Sequence, residues 1–537
     1  MGPAPRWRRP QSGPPSSRAA GFGPKHGHDD LSYRRPHLGP SPGDKASGAE
    51  AGGVWDTLRY VSANDPSQDD GGVARRLAAF VSLTAYRQLP PQTIDHGKML
   101  AASTVASSAL GTQVPTAQMI RAVVRERWGA GQASVWFEGG VRASVPDAVR
   151  LNAVRSSAAA SDDSDLRNIL HAGTAVATAA IAAGERVGAS GEALLAAIVL
   201  GYEAAARVGA SITPGFRDKG FHGCIAAIFG SAVAAGRLLG LSVEHMTHAI
   251  ALAATTISGL LRCAEVSNAR EHQDSMAAML GVEAALAARQ GFTGDKLVFE
   301  GEHGYFEVFG NRSVADATRE VCDGYGDSWA IVTALAIKLA PGGHPFHAGA
   351  EAAAAAVDSL DIAADAISAI EIAAPGLTAL RGPLHPRSML EMAHSQAYFV
   401  AAGAADRAFS WQHASPAKIS DPTIHRLIDL VRVGPAPSEA AERYRLGATV
   451  TVHTLDGRSA QVTIFEPRGS GALGIPWAAI DAKYRALVPA AGLPPHRIEE
   501  SLRQIHSLDE ISDINDLTSL LAGNTREPDL NEEPQSQ

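Results

Sequence analysis

Between Gly201 and Gly310 the chain runs through helix-forming segments built from small side chains, which narrows its possible folds more than any other stretch. CIAAIFGSAVAAGRLL predicts a helix over 224–239, stopped by Gly240 in a left-handed cap. A further helix is predicted over 275–290, ending at Gly291, with Thr293-Gly294 turning the chain again. Gly230, Ala234, Ala235 and Gly236 on one, and Ala277, Ala278, Gly281, Ala284 and Ala285 on the other, let helix backbones approach closely. Such helices belong in an interior. His222 precedes the first, and Arg270, His272 and Gln273 precede the second. Helix N-termini favour anions through unpaired N–H groups and the macrodipole. Cationic and proton-transferring residues at two such ends point to a site for a carboxylate.

The chain is long enough, at 537 residues with 45% hydrophobic content, to bury a large core in more than one domain. A net charge of −9 argues against nucleic acid as a partner. Cys224, Cys263 and Cys322 form no C-x-x-C pair and no zinc spacing, which suits a reducing, cytoplasmic setting. Apolar runs such as 249–261 fall short of the ~18 residues a spanning helix needs, so no membrane association is expected.

Residues 1–53 are rich in Pro, Gly, Ser and Arg without hydrophobic period and read as a disordered tail, as does 525–537. His26, His28, Asp29 and Asp30 in that tail carry only a weak metal reading. From Val73 the period is helical, and Pro146 suits the first turn of a helix after a short strand at Ser134–Phe137 (SVWF). Helices are also expected over 193–208, 315–322 and 329–339. At Lys338–His347 the composition changes. The division expected is a helical domain from 54–340 and 475–524 and a smaller α+β lid domain from 341–474, mainly α overall. In the smaller unit, 347–360 reads as a helix, 366–374 as a strand and 388–402 as one helix. ATVTVHTLDGRSAQVTIF reads as a hairpin with Asp456-Gly457 in a two-residue type I′ turn. The helices after Pro476 are expected to rejoin the first domain.

Several motifs have plain structural readings. Gly469–Gly474 matches G-x-G-x-x-G but lacks a βαβ unit and reads as a loop. The H-x-x-H pairs His245/His248 and His344/His347 lack further ligands at zinc spacing and read as packing pairs. Asp162-Asp163 reads as a loop capping the next helix, and Lys338 as a lysine offsetting a helix C-terminus.

The order GYE…GFH…LLGL…GFTG…EGEHGYF, together with NAVRSSAAASDDSDLRNILHAG and the K-x-x-P…H junction at 338–347, resembles the MmgE/PrpD family. That family includes 2-methylcitrate dehydratases and cis-aconitate decarboxylases, and the likeness extends from about Ala74 to Leu521. It implies that His171, His222 and Lys338 are catalytic and that Asp162, Asp163, Ser164, Arg270 and Gln273 bind substrate. It also implies no metal or organic cofactor, a homodimer built through the helical domains, and a cleft between the two domains. The activity implied is a cofactor-independent lyase on a di- or tricarboxylic acid. An isomerase or epimerase on a related acid, or a non-catalytic acid-binding paralogue, stays open beside it. The sequence departs from the family where Ser157 replaces a histidine, Ala160 an aspartate, Gly223 a proline, Arg270 a lysine and Gln273 a frequent histidine.

Overall fold

The computed structural model describes residues 72–523, apart from 130, 169, 257 and 258. The tails expected at 1–53 and 525–537, with the His26 cluster, lie outside the described residues, as do 54–71 and 524. The fold is mainly α with a smaller α+β part. Two separate apolar clusters organise it, one in each part.

The larger part packs helices Pro91–Gly111, Val145–Ala158, Ala172–Val187, Gly191–Ile212, Cys224–Leu238 and Ala269–Arg289 against one another. Small residues sit where these backbones nearly touch. A Cβ on Gly201 would lie 2.8 Å from the Gly230 carbonyl, and one on Gly281 would lie 2.5 Å from the Ile228 carbonyl. Helix Gly191–Ile212 has the length and apolarity of a spanning helix, yet 94% of its most apolar window is buried among its neighbours. Burial on all sides explains why it is hydrophobic all round. Ser144 caps helix Val145–Ala158 by accepting the Asp147 amide, with Pro146 in the first turn as expected.

The helix expected from Ser275 begins at Ala269. The polar run AREHQD hides the apolar period because Arg270, Glu271 and Asp274 are themselves buried there. Arg270 and Gln273 therefore lie inside the first turns rather than ahead of them. The strand expected over SVWF is only Ala133–Ser134, paired with Arg142–Ala143, while Trp136 and Phe137 are buried. The helix expected over 329–339 is also corrected. Only Ala330–Thr333 is helical, and Leu335–Ile337 is a strand antiparallel to Asp163–Asp165. Lys338 leaves that strand, donating its amide to the Asp162 carbonyl at 3.2 Å, so it offsets no helix end.

The smaller part holds a four-stranded sheet ordered Val431–Val433, Ile367–Ala373, Ala448–Thr454, Ser459–Ile464. The first pair is parallel and the others antiparallel. Helices His344–Leu360 and Gln396–Asp406 bury Ala353, Val357, Phe399 and Val400 in a core shared with Ile370, Val450 and Val452. The single helix expected over 388–402 is broken, because the Ser395 hydroxyl accepts the Tyr398 amide and starts a new helix. The hairpin turn also differs. Only Gly457 takes a positive φ, +86°, and Thr454 pairs with Arg458, so the loop is three residues long rather than a type I′ pair. Helices Trp477–Leu487, Pro495–His506 and Asn515–Leu520 return to the larger part and bury Ile480, Tyr484, Leu502 and Leu517 in its core.

Candidate active site

The antiparallel pairing of 163–165 with 335–337 sets Lys338 beside Asp162, 176 residues away in sequence. The Lys338 ammonium donates to Asp162 Oδ1, and both side chains are almost wholly buried. The other oxygen, Asp162 Oδ2, lies 3.3 Å from His171 Nδ1 and 4.0 Å from Arg270 Nη2. The His171 and His222 ring centroids are 6.2 Å apart. His171, His222, Lys338, Arg270 and Asp162 thus form one buried group although they come from four separate stretches of chain.

Charge decides how this group titrates. Burial pushes the Asp162 carboxyl up, but His171, Lys338 and Arg270 outweigh it and hold the group well below the usual carboxylate range. Asp162 is therefore ionised. Burial lowers Lys338, with Asp162 opposing, and burial likewise lowers His171. His222 is pushed down to about 4, by burial first, with Asp274 opposing. Both imidazoles are neutral at pH 7, and their hydrogen bonds distinguish them. His171 Nδ1–H donates to the Asp163 carbonyl at 2.6 Å, which leaves its Nε2 a proton acceptor. His222 Nδ1 accepts the Cys224 amide at 3.4 Å, which leaves the proton on Nε2. One ring is set as a base and the other as an acid.

Asp163 makes the bonds of the capping reading. Its oxygens accept the amides of Gly173 (3.0 Å) and Thr174 (3.3 Å) at the start of helix Ala172–Val187, so it caps that helix. Burial and the neighbouring Asp162 raise it to about 7. Ser164 bridges toward His344, whose Nδ1 is 3.0 Å from the hydroxyl. Gln273 donates to the Leu260 carbonyl at 3.3 Å, and the structure gives it no bond to the Asp162 group.

Four buried atoms of this group make no hydrogen bond: Asp162 Oδ2, Arg270 Nε, Arg270 Nη2 and His344 Nε2. Buried polar atoms are almost always satisfied. Nε and Nη2 form one edge of the guanidinium, the fork that grips a carboxylate bidentately. Arg270 also stands in the first turn of its helix, where the macrodipole disfavours a cation. By contrast, a cavity of about 1010 Å³ lined by Arg167, Arg207, Arg312 and Arg319 holds arginines already paired with Asp165, Glu203, Glu320 and Asp316. Among the described residues, that hollow offers no free fork.

Among the described residues, His222, Cys224 and Asp274 bring three metal-ligand atoms within 4.8 Å of one another. They fit a cation poorly. The His222 Nδ1 lone pair accepts an amide, burial raises the Cys224 thiol well above its ordinary range, and Arg270 acts on the same histidine. Asp274 instead accepts Ser157 Oγ at 2.8 Å, and its other oxygen lies 3.6 Å from His222 Nδ1.

Residues 75–317 match the MmgE/PrpD N-terminal domain and residues 341–507 the MmgE/PrpD C-terminal domain. The chain belongs to the MmgE/PrpD family. Among curated proteins it is similar to the cis-aconitate decarboxylase-like protein oryM of Aspergillus oryzae, 28% identical over 289 residues. It is also similar to cis-aconitate decarboxylase of Aspergillus terreus, 28% identical over 287 residues. The matches cover 51% of this chain and 59% and 58% of those two proteins, so the chain spans little more than half their length.

Three residues of this MmgE/PrpD site escape sequence reasoning. Asp274 stands inside a polar helical turn without a motif. His344 belongs to an H-x-x-H pair that reads as packing. Lys483, 1% exposed, comes from helix Trp477–Leu487 near the end of the chain. A lysine next to the equally buried Tyr484 breaks the amphipathic pattern of that helix, and this was the available signal.

Proposed function

We propose that this MmgE/PrpD protein is a lyase acting on a tricarboxylic acid of the cis-aconitate type, by decarboxylation, without a cofactor. The observation that carries the reading is the buried, unsatisfied Nε/Nη2 edge of Arg270, whose Nη2 lies 4.0 Å from the equally unsatisfied Asp162 Oδ2. A carboxylate satisfies that edge with two charge-assisted bonds. The names of the relatives supply the acid to try first.

The chemistry follows from the group. In a β,γ-unsaturated arrangement, the bond from carbon to one carboxylate breaks and CO₂ leaves. The electron pair shifts through the double bond to the carbon next to another carboxylate. Arg270 and Lys338 stabilise that negative charge in a site closed to water. The Nε2 proton of His222 then passes to that carbon, and a proton taken up from water by His171 Nε2, an acceptor in its resting tautomer, replaces the one His222 gave. Asp162 holds Lys338 and His171 in place throughout. The homodimer belongs to the same proposal, as does a cleft between the α+β unit and the helical body.

The test is consumption of cis-aconitate, citrate, 2-methylcitrate and isocitrate, followed by NMR with wild-type protein, Arg270→Met and Arg270→Lys. Wild type is expected to release CO₂ from cis-aconitate, Arg270→Met to raise KM and lose turnover, and Arg270→Lys to keep some turnover with weaker binding. Wild-type protein that consumes none of these acids would overturn the reading.

A further inference from the structure

Lys483 has no carboxylate within ion-pairing distance among the described residues, although it is almost completely buried. Unpaired buried lysines are costly and rarely kept without a purpose. Its ammonium joins three parts of the chain. It donates to Ser103 Oγ at 2.7 Å on helix Pro91–Gly111 and to the main-chain carbonyl of Ser161. It also lies 5.4 Å from the ring centroid of Trp411, a residue of the α+β unit that packs on the body's core. The Ser161 carbonyl is held a second time, by Ser107 Oγ at 2.9 Å.

Ser161 lies between two informative neighbours. Ala160 takes a positive φ of +50°, a region that disfavours alanine, and its carbonyl accepts the Gly342 amide at 2.8 Å. Asp162 follows, with its carboxylate on Lys338. The turn 159–162 is thus a strained piece of backbone whose outward carbonyl is fixed by a lysine and whose next side chain orders the reacting group. Strain of this kind persists only where surrounding bonds enforce it.

We infer that Lys483 is a positioning residue: its hydrogen bond to the Ser161 carbonyl holds the strained turn that aims Asp162 at Lys338 and His171. It touches none of the reacting atoms and acts through the backbone. The inference rests on the reading of the Asp162 group as the active site. Burial lowers the Lys483 ammonium to about 7, with Asp162 opposing and Lys338 adding to the shift. Loss of its proton would leave an amine that still donates to both partners.

Two variants separate its roles. Lys483→Met keeps the stem and removes the donor, and Lys483→Gln restores an uncharged donor. With cis-aconitate as substrate, Lys483→Met is expected to lower kcat about a hundredfold with KM nearly unchanged, because a misplacement of about 1 Å costs that much. Lys483→Gln is expected to recover at least tenfold of the loss. Amide hydrogen exchange needs no substrate and runs on the same proteins. Peptides covering 159–165 are expected to exchange about tenfold faster in Lys483→Met, with the helical body unchanged and Lys483→Gln close to wild type. If wild type consumes none of the acids, the functional reading fails and the exchange experiment alone decides this inference. Unchanged exchange at 159–165 in folded Lys483→Met, or faster exchange throughout the chain, would overturn it. Equal kcat losses in the Met and Gln variants would overturn it too.

Discussion

Asp162→Asn removes one negative charge from the centre of the site while keeping the side chain's shape. Asp162 is 1% exposed, Lys338 2% and Arg270 9%, so the charge lost is one that water does not replace. Breaking a buried pair by removing one partner costs about 3–5 kcal/mol, because the other charge is left uncompensated. Glu271 and Asp274 also support Arg270, so the lower end of that range is expected. The double variant Asp162→Asn, Lys338→Met removes the stranded ammonium as well. It should lose about 2 kcal/mol less than the sum of the single losses, as residues in direct contact couple. The sign with pH follows from the lowered Asp162 carboxyl. An acid whose folded pKa lies below its unfolded value near 3.9 stabilises the protein fully above that value. The contribution shrinks as pH falls from about 4 toward the folded pKa. Urea unfolding followed by tryptophan fluorescence at pH 7 and pH 3.5 measures this. The reasoning is refuted if Asp162→Asn matches wild type at pH 7, if its deficit grows as pH falls, or if the two substitutions add.

Two other outcomes follow from the same packing. Lys338→Met is expected to keep the fold and lose ~10²–10³ in kcat, since a preorganised charge facing developing negative charge is worth that much; steady-state turnover checks it. Gly281→Ala should destabilise the helical body by about 1–3 kcal/mol through overpacking, because its Cβ would meet the Ile228 carbonyl at 2.5 Å, and a lowered thermal midpoint would show it.

The alternation of small-residue helices and strands was legible because it reports burial directly. Gly201, Gly230 and Gly281 mark the close helix contacts that the sequence suggests. Two of the errors come from burial. Period reasoning assumes polar residues face water, and it failed where they are buried. The apolar period starts the helix at Ser275, six residues after Ala269, because Arg270, Glu271 and Asp274 face inward. Lys338 reads as helical from sequence because the three-residue strand before it is buried throughout and has no alternation to display. Asp163 shows the reverse case, where the plain capping reading of the local sequence describes the bonds its carboxylate makes. His171, His222, Arg270 and Lys338 were named through the family resemblance, but their meeting at Asp162 depends on pairings over more than a hundred residues. The return of the last helices to the body is expected from sequence, but the contacts of Lys483 with Ser103 and Ser161 join distant stretches and have no local signature.

The most direct measurement is proton NMR of cis-aconitate incubated in D₂O with chelator-treated wild-type protein. The account predicts loss of cis-aconitate, release of CO₂ and one deuteron on the product carbon beside a carboxylate, delivered from His222 Nε2, at a rate the chelator leaves unchanged. Recovery of the acid intact, activity restored only by added metal, or consumption without CO₂ release would contradict it.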